Sequence, residues 1–134
     1  MQDKKVQGGD LLHYTIKEFS KITGLTPYTL RFYEKIGLLK VKRDNNQNRI
    51  YDDLNKDWVD FFLHLKRTGM SLEDLKQYMA WWNQGDETIL ERLEMLKKQK
   101  QTALTELEKL QEGITELDRK ITQYNKALEK HKRS

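Results

Sequence analysis

The 134-residue chain is predicted to be mainly α-helical: a winged helix-turn-helix unit with a small β-hairpin as its wing, then a long helix suited to an antiparallel coiled coil. Three observations predict this. Two short segments with sharp helix caps follow one another across Thr23-Gly24-Leu25. A basic stretch then reads as two short strands around a polar turn. Beyond Asp86, apolar residues recur in alternating steps of four and three over more than five repeats. A charged fraction of 34%, a hydrophobic fraction of 37% and a single proline lean the same way, toward exposed helices rather than a sheet-built domain.

Thr15 can cap the first helix, and Glu18, three residues on, can return a hydrogen bond as in a capping box. Ile16, Phe19 and Ile22 fall at helical spacing and are expected to bury one face, and Thr23-Gly24 ends the element. In the second helix Thr26 is the cap, Pro27 takes the first helical position, Leu25 and Leu30 have the spacing of a hydrophobic staple, and Gly37 is the stop. Two short helices joined by a Gly-containing turn form a helix-turn-helix pattern, whose second helix enters the DNA major groove. With Leu30 in the core, a turn of about 100° per residue puts Tyr28, Phe32 and Lys35 on the opposite face and Arg31 on its flank. Arginine reads guanine through bidentate bonds and tyrosine can donate to phosphate oxygens. Packing roles for Phe32 and Tyr33, with a solvated Arg31, are the competing reading.

Leu39–Arg43 and Arg49–Tyr51 read as the two strands, with Asp44–Asn48 as the turn. As a wing this hairpin would place Lys40, Lys42, Arg43 and Arg49 along a neighbouring backbone; the alternative is an ordinary solvated hairpin. Residues 53–68 carry the stripe Leu54, Trp58, Phe61, Phe62 and Leu65, and after the Ser71 cap Leu72, Leu75, Tyr78, Met79 and Trp82 form another, up to Gln84-Gly85. Trp81 lies off both stripes, as a contact-surface residue would.

The long helix carries Ile89, Leu93, Leu96, Ala103, Leu107, Leu110, Ile114, Leu117, Ile121, Tyr124 and Leu128 in one heptad register, interrupted only by Lys100. A helix of ~40 residues, ~60 Å long, cannot bury such a seam alone, so a second copy of the chain is the expected partner. Two buried lysines facing each other in a parallel pair would be costly, which favours antiparallel pairing. The expected organisation is an N-terminal extension over 1–13, the winged unit over 14–84, the coiled-coil helix over 86–130 and a tail over 131–134.

Charge points to a partner. Residues 1–52 hold ten of the 25 Lys/Arg but six of the 21 Asp/Glu, and the remainder carries fifteen of each, so all of the +4 excess is N-terminal. Such an asymmetry suits a polyanion. The absence of cysteine excludes disulfides, thiolate ligands and thiol sensing. The three histidines at 13, 64 and 131 lack metal-ligand spacing, and neither a Gly-rich phosphate loop nor a Ser/His/Asp grouping is present, so neither an enzyme nor a cofactor or metal site is expected. No apolar run approaches the ~20 residues of a membrane span, and the expected compartment is the cytoplasm.

Assembled in order, YTIKEFSKITGLTPYTLRFYEKIGLL, the hairpin closing on Arg49-Ile50-Tyr51, LKRTGMSLEDL and the long terminal helix resemble the MerR family of bacterial transcription regulators. The resemblance implies a winged helix-turn-helix, a homodimer joined by an antiparallel coiled coil, and binding to a pseudo-palindromic operator in double-stranded promoter DNA. It also implies an effector that makes the bound dimer distort the promoter so that RNA polymerase can engage. Position by position it implies base or phosphate contacts for Tyr28, Thr29 and Arg31, phosphate contacts for Tyr33, Thr15, Lys66 and Arg67, and wing contacts for Arg43 and Arg49. Val41 and Asn48 stand where the family has a proline and a wing-turn glycine; Asn tolerates positive φ, so the turn is expected to persist. The GDETILERLEMLKKQK segment resembles a small-molecule or aldehyde-responsive subgroup with a reactive cysteine after the wing, and His64 holds the comparable place. No separate ligand-binding domain is expected, so any signal must be non-covalent, with Trp58, His64, Tyr78 and Trp81 as the candidate effector residues. The competing function is a coiled-coil architectural or adaptor protein that docks on DNA or protein without reading sequence.

Overall fold

The computed structural model describes residues 12–133, so the expected N-terminal extension up to residue 11 and the final Ser134 lie outside the described residues. The chain divides into two units, residues up to 95 and residues from 96 onward.

The first unit opens on strand β1 (His13–Tyr14), and helix α1 (Ile16–Thr23) follows. Its capping box forms as expected: the Thr15 hydroxyl accepts from the Glu18 amide at 3.1 Å while the Glu18 carboxylate accepts from the Thr15 amide at 2.8 Å. Gly24, at φ 76°, closes the helix in the left-handed region, where a Cβ would be strained. Helix α2 (Pro27–Lys35) starts on the Thr26 cap with proline at its first position.

Strands β2 (Lys42–Arg43) and β3 (Arg49–Asp52) form the hairpin. β1 adds itself antiparallel to the far side of β3, pairing His13 with Asp52 and Tyr14 with Tyr51, so the sheet has three strands in the order β1-β3-β2. The hairpin turn is held by the Asp44 carboxylate, which accepts from the amides of Asn46 and Asn48, each at 2.9 Å. The positive φ expected at Asn48 falls instead on Gln47, at 66°.

Helix α3 (Asp53–Arg67) begins on a second capping box, Asp52 with Asn55, and the Asn55 side-chain amide also donates to the Lys40 carbonyl at 3.0 Å. Those polar bonds fix the rotation of the helix. Its buried stripe is Asn55, Val59, Phe62 and Leu65, one position off the expected register at the start, which leaves Leu54 46% exposed. Ile22 and Leu72, also expected inside, are 44% and 38% exposed, because each sits at the rim of a helix whose inner face is already filled by Phe19 or by Leu75, Tyr78 and Met79. Helix α4 (Leu72–Gln84) starts on Ser71 and packs on α3 through rings: Trp58 of α3, which also meets its helix neighbour Phe62 at 5.3 Å, meets Tyr78 at 6.2 Å and Trp82 at 5.0 Å between centroids. Under the sheet, Phe19 stacks on Tyr51 at 4.5 Å and 9°. With Leu30, Leu38, Val59, Phe62 and Leu75 fully buried around them, these side chains form the core, each worth about 1.5–3 kcal/mol of transfer free energy for the larger apolar residues.

After Gly85 a single 3-10 turn, Asp86–Thr88, leads into helix α5 (Ile89–Arg133), whose 45 residues span ~68 Å at 1.5 Å per residue. Helix continues through most of the expected tail. From 96 onward the second unit is this helix alone, and the seam residues Leu107, Leu110, Ile114, Leu117, Ile121, Tyr124 and Leu128 are 43–64% exposed. Ile89 and Leu93 are exposed as well, Leu96 and Ala103 half-buried.

Candidate nucleic-acid interface

Helix α2 divides into two faces. Leu30 and Tyr33 are buried, whereas Tyr28 is 77% exposed, Phe32 39% exposed, and Arg31 and Lys35 lie in solvent beside them. The division follows from the helical period about Leu30. Thr29 is tied into the cap: its amide donates to the Thr26 hydroxyl oxygen at 3.1 Å, and the Thr26 hydroxyl donates to Thr29 Oγ1 at 3.0 Å. Arg31 is exposed and makes no hydrogen bond or ion pair with a described residue, so its five donors are uncommitted among those residues.

The wing cations are organised by a residue that the sequence reading passed over. Glu34, on α2, accepts from Arg49 Nε at 2.7 Å and from Arg43 Nη2 at 3.1 Å, while Arg43 Nη1 donates to the Gln47 carbonyl at 3.3 Å. Arg43 and Arg49 are direct partners in the β2–β3 register, which is why one carboxylate reaches both. The pairing draws two guanidiniums together against their mutual repulsion and joins hairpin to helix. Only some donors are consumed: Arg49 Nη1 and Nη2 stay available, and in the register pair Lys42 is exposed. Lys40 is exposed too, with its carbonyl engaged by Asn55. The signal for Glu34 was an acidic residue placed on an otherwise basic helix.

Tyr33 differs from expectation in part: its ring is 4% exposed and belongs to the core, and only its hydroxyl meets a cation, accepting from Lys66 Nζ at 3.3 Å. Lys66 also lies 5.9 Å from that ring centroid. Lys66 and Arg67 occupy the last turn of α3, where cations are favoured by the helix dipole, and both are exposed. At Thr15 the amide donates to Glu18 and the hydroxyl oxygen accepts from the Glu18 amide, which leaves the Thr15 O–H proton and the first-turn amides of Ile16 and Lys17 as the donors at that helix start.

Of the candidate effector residues, the structure brings Trp58 and Tyr78 into ring contact. Trp58 and Tyr78 lie in the ring cluster described above, with Phe61 completing it at 6.1 Å from Trp58 and 5.5 Å from Tyr78. His64 is exposed at the end of α3, and Trp81 is half-buried with its carbonyl accepting from the Thr88 hydroxyl at 2.6 Å. Burial raises the Tyr78 hydroxyl pKa, and the Tyr14 hydroxyl is raised by its 2.8 Å hydrogen bond to Asp53. No group of three His, Asp or Glu among the described residues could hold a metal ion, and no helix among them is long and apolar enough to cross a membrane.

A solvent-facing second helix with free arginine and aromatic groups, flanked by a cationic hairpin, defines a winged helix-turn-helix protein. Residues 14–81 match the MerR HTH family regulatory protein family. The chain belongs to the MerR family of transcription regulators. It is 37% identical over 115 residues to an uncharacterized HTH-type transcriptional regulator of Haemophilus influenzae, covering 85% of each chain. It is 36% identical over 87 residues to the HTH-type transcriptional regulator AdhR of Bacillus subtilis, covering 64% of this chain and 62% of that one. Among solved structures it is similar to HiNmlR, a MerR family regulator lacking the sensor domain, bound to promoter DNA, with a TM-score of 0.80, 36% identity, and coverage of 87% of this chain and 93% of that one. A putative MerR family regulator from Listeria monocytogenes gives a TM-score of 0.80 at 34% identity, covering 84% of this chain and 86% of that one.

Proposed function

We propose that the chain binds a pseudo-palindromic operator in double-stranded promoter DNA as a homodimer and alters promoter conformation so that RNA polymerase can engage, acting in the cytoplasm. Residues 14–84 serve as the DNA-reading unit and 86–130 as the dimerisation helix. The observation that carries this reading is the exposed face of α2, where Arg31, without a partner among the described residues, stands beside Tyr28 and Lys35 while the opposite face is locked into the core. Promoter DNA bound to the similar HiNmlR supports the partner. The exposed seam of α5 supports the second copy, since an apolar stripe of that length is stable only when covered.

Within this reading Arg31 specifies sequence, and Arg43, Arg49, Lys66, Arg67 and the α1 start position the backbone. Gel-shift titrations on operator variants and on random duplex test it. Arg31→Ala should cost about 1–3 kcal/mol and flatten discrimination between variants, whereas Lys66→Ala should weaken all duplexes alike and lower the salt slope by about one. Equal losses for Arg31→Ala on specific and random duplex would refute the assignment. Wild-type binding that ignores sequence altogether would favour the architectural alternative.

A further inference from the structure

We propose that Arg92 is a positioning residue whose guanidinium locks the first turn of α5 onto the end of α4 and, in the dimer proposed above, thereby sets the separation of the two recognition helices. The sequence gives Arg92 the look of a solvated flank residue, since it lies one position before the seam residue Leu93. It is instead 8% exposed. Arginine is almost never so buried without strong partners. Here Nε donates to Thr88 Oγ1 at 3.1 Å, Nη2 donates to the Gly85 carbonyl at 3.0 Å, and the guanidinium carbon lies 5.1 Å from the Trp82 ring centroid.

Thr88 completes the lock. It is 3% exposed, and its hydroxyl oxygen lies 2.6 Å from the Trp81 carbonyl and 2.8 Å from the Gly85 carbonyl. A hydroxyl has one proton to give, so it donates to one carbonyl while accepting from Arg92. The Trp81 carbonyl belongs to the last turn of α4, where the helix dipole is negative and a cation is favoured, and the Gly85 carbonyl just beyond it also accepts from the Thr88 amide at 3.1 Å. The corner is tight: Gly85 sits at φ 94° and ψ −161°, and a single 3-10 turn separates the helices. A planar fork that makes two directed hydrogen bonds while lying against the Trp82 ring is what closes it, and a lysine ammonium, a point charge without a planar face, does not reproduce that arrangement.

Backbone hydrogen exchange on the full chain tests the lock without reference to dimerisation. Arg92→Lys and Thr88→Val should each raise the exchange rate of the amides of residues 85–91 roughly tenfold or more, the scale expected when a charge-assisted bond is lost, while Thr88→Ser keeps wild-type protection. Protection in α1–α3 should not move in any variant. Unchanged exchange at 85–91 in both Arg92→Lys and Thr88→Val would overturn the lock, as would loss of protection throughout the unit in both, which would make these residues general supports of folding.

The consequence for spacing rests on the dimer reading and is measured with a pseudo-palindromic duplex selected on the wild-type protein, then altered by one or two base pairs between half-sites. Arg92→Lys should lower discrimination between spacings by about tenfold with affinity for a single half-site unchanged, since two half-sites must match two fixed helices. A spacing profile equal to wild type would overturn the positioning role. Sedimentation of the wild type as a monomer would overturn the dimer reading and the spacing consequence together, and the exchange result would then judge the lock alone.

Discussion

Glu34 is one carboxylate shared by two guanidiniums, and its removal should act through them. At exposures of 21–36% for the three side chains, each pair is worth little by itself, of order 1 kcal/mol or less. The larger effect is on where the arginines point and on the local charge. Glu34→Gln should therefore raise affinity for random duplex and steepen its salt dependence, while the ratio of specific to random binding falls. Filter binding across a salt series measures both, and an unchanged ratio would show that the wing arginines are placed without Glu34. Tyr51 offers a second test at this scale. Its hydroxyl is buried with no hydrogen-bond partner among the described residues, so Tyr51→Phe should be neutral or stabilising by up to about 1 kcal/mol in urea denaturation. Burial also raises the pKa of this hydroxyl above the ordinary 10.0. A group raised in the folded state contributes stability that is complete below pH 10 and is lost as pH climbs through the folded value. Wild-type stability should fall from pH 9 to pH 12, and Tyr51→Phe should fall less steeply; parallel slopes would assign the alkaline loss to Tyr14 and Tyr78, whose hydroxyls are raised as well.

The helices were legible wherever a cap or a glycine marked them. Thr15 with Glu18, Thr26 with Pro27, Ser71, Gly24 and Gly69 each act through local bonds that sequence spacing contains. Strand β1 was not legible, because two residues become a strand only when β3 lies beside them, and that pairing spans 37 or more positions of chain. Stripe registers failed for a related reason: whether Leu54 or Asn55 turns inward is decided by the Lys40 carbonyl and the Asp52 cap, which no periodicity encodes. The exposed face of α2 and the exposed cations of the candidate interface were legible, but not the contacts of Glu34, Thr88 or Arg92, which depend on partners brought close by folding. At the scale of α5, replacing Leu107 and Leu110 by Asp would put like charges into an apolar seam. Sedimentation should then give a monomer that no longer protects the operator, and a dimer that persists would move the interface elsewhere.

For the molecule as a whole, the positive excess and the apolar seam lie in different parts of the chain. The charge supports encounter with a polyanion, and the seam supports assembly, so each is open to change without direct damage to the other. Arg92 stands near the junction, at the start of α5 and before the second unit begins at 96.

The uncovered seam also bears on turnover. Every lysine between 97 and 132 lies on a helix whose described residues from 104 onward are all exposed. In the dimer reading proposed above, a chain without its partner presents a long single helix that frays and can be nicked, whereas a paired one resists. Protease resistance becomes a function of protein concentration. Limited trypsin digestion at nanomolar and at micromolar protein should show cleavage within 97–132 that slows as concentration rises, and a rate independent of concentration would break the link. In a cell this would remove surplus single chains while sparing assembled ones, holding the working pool near the dissociation constant of the pair.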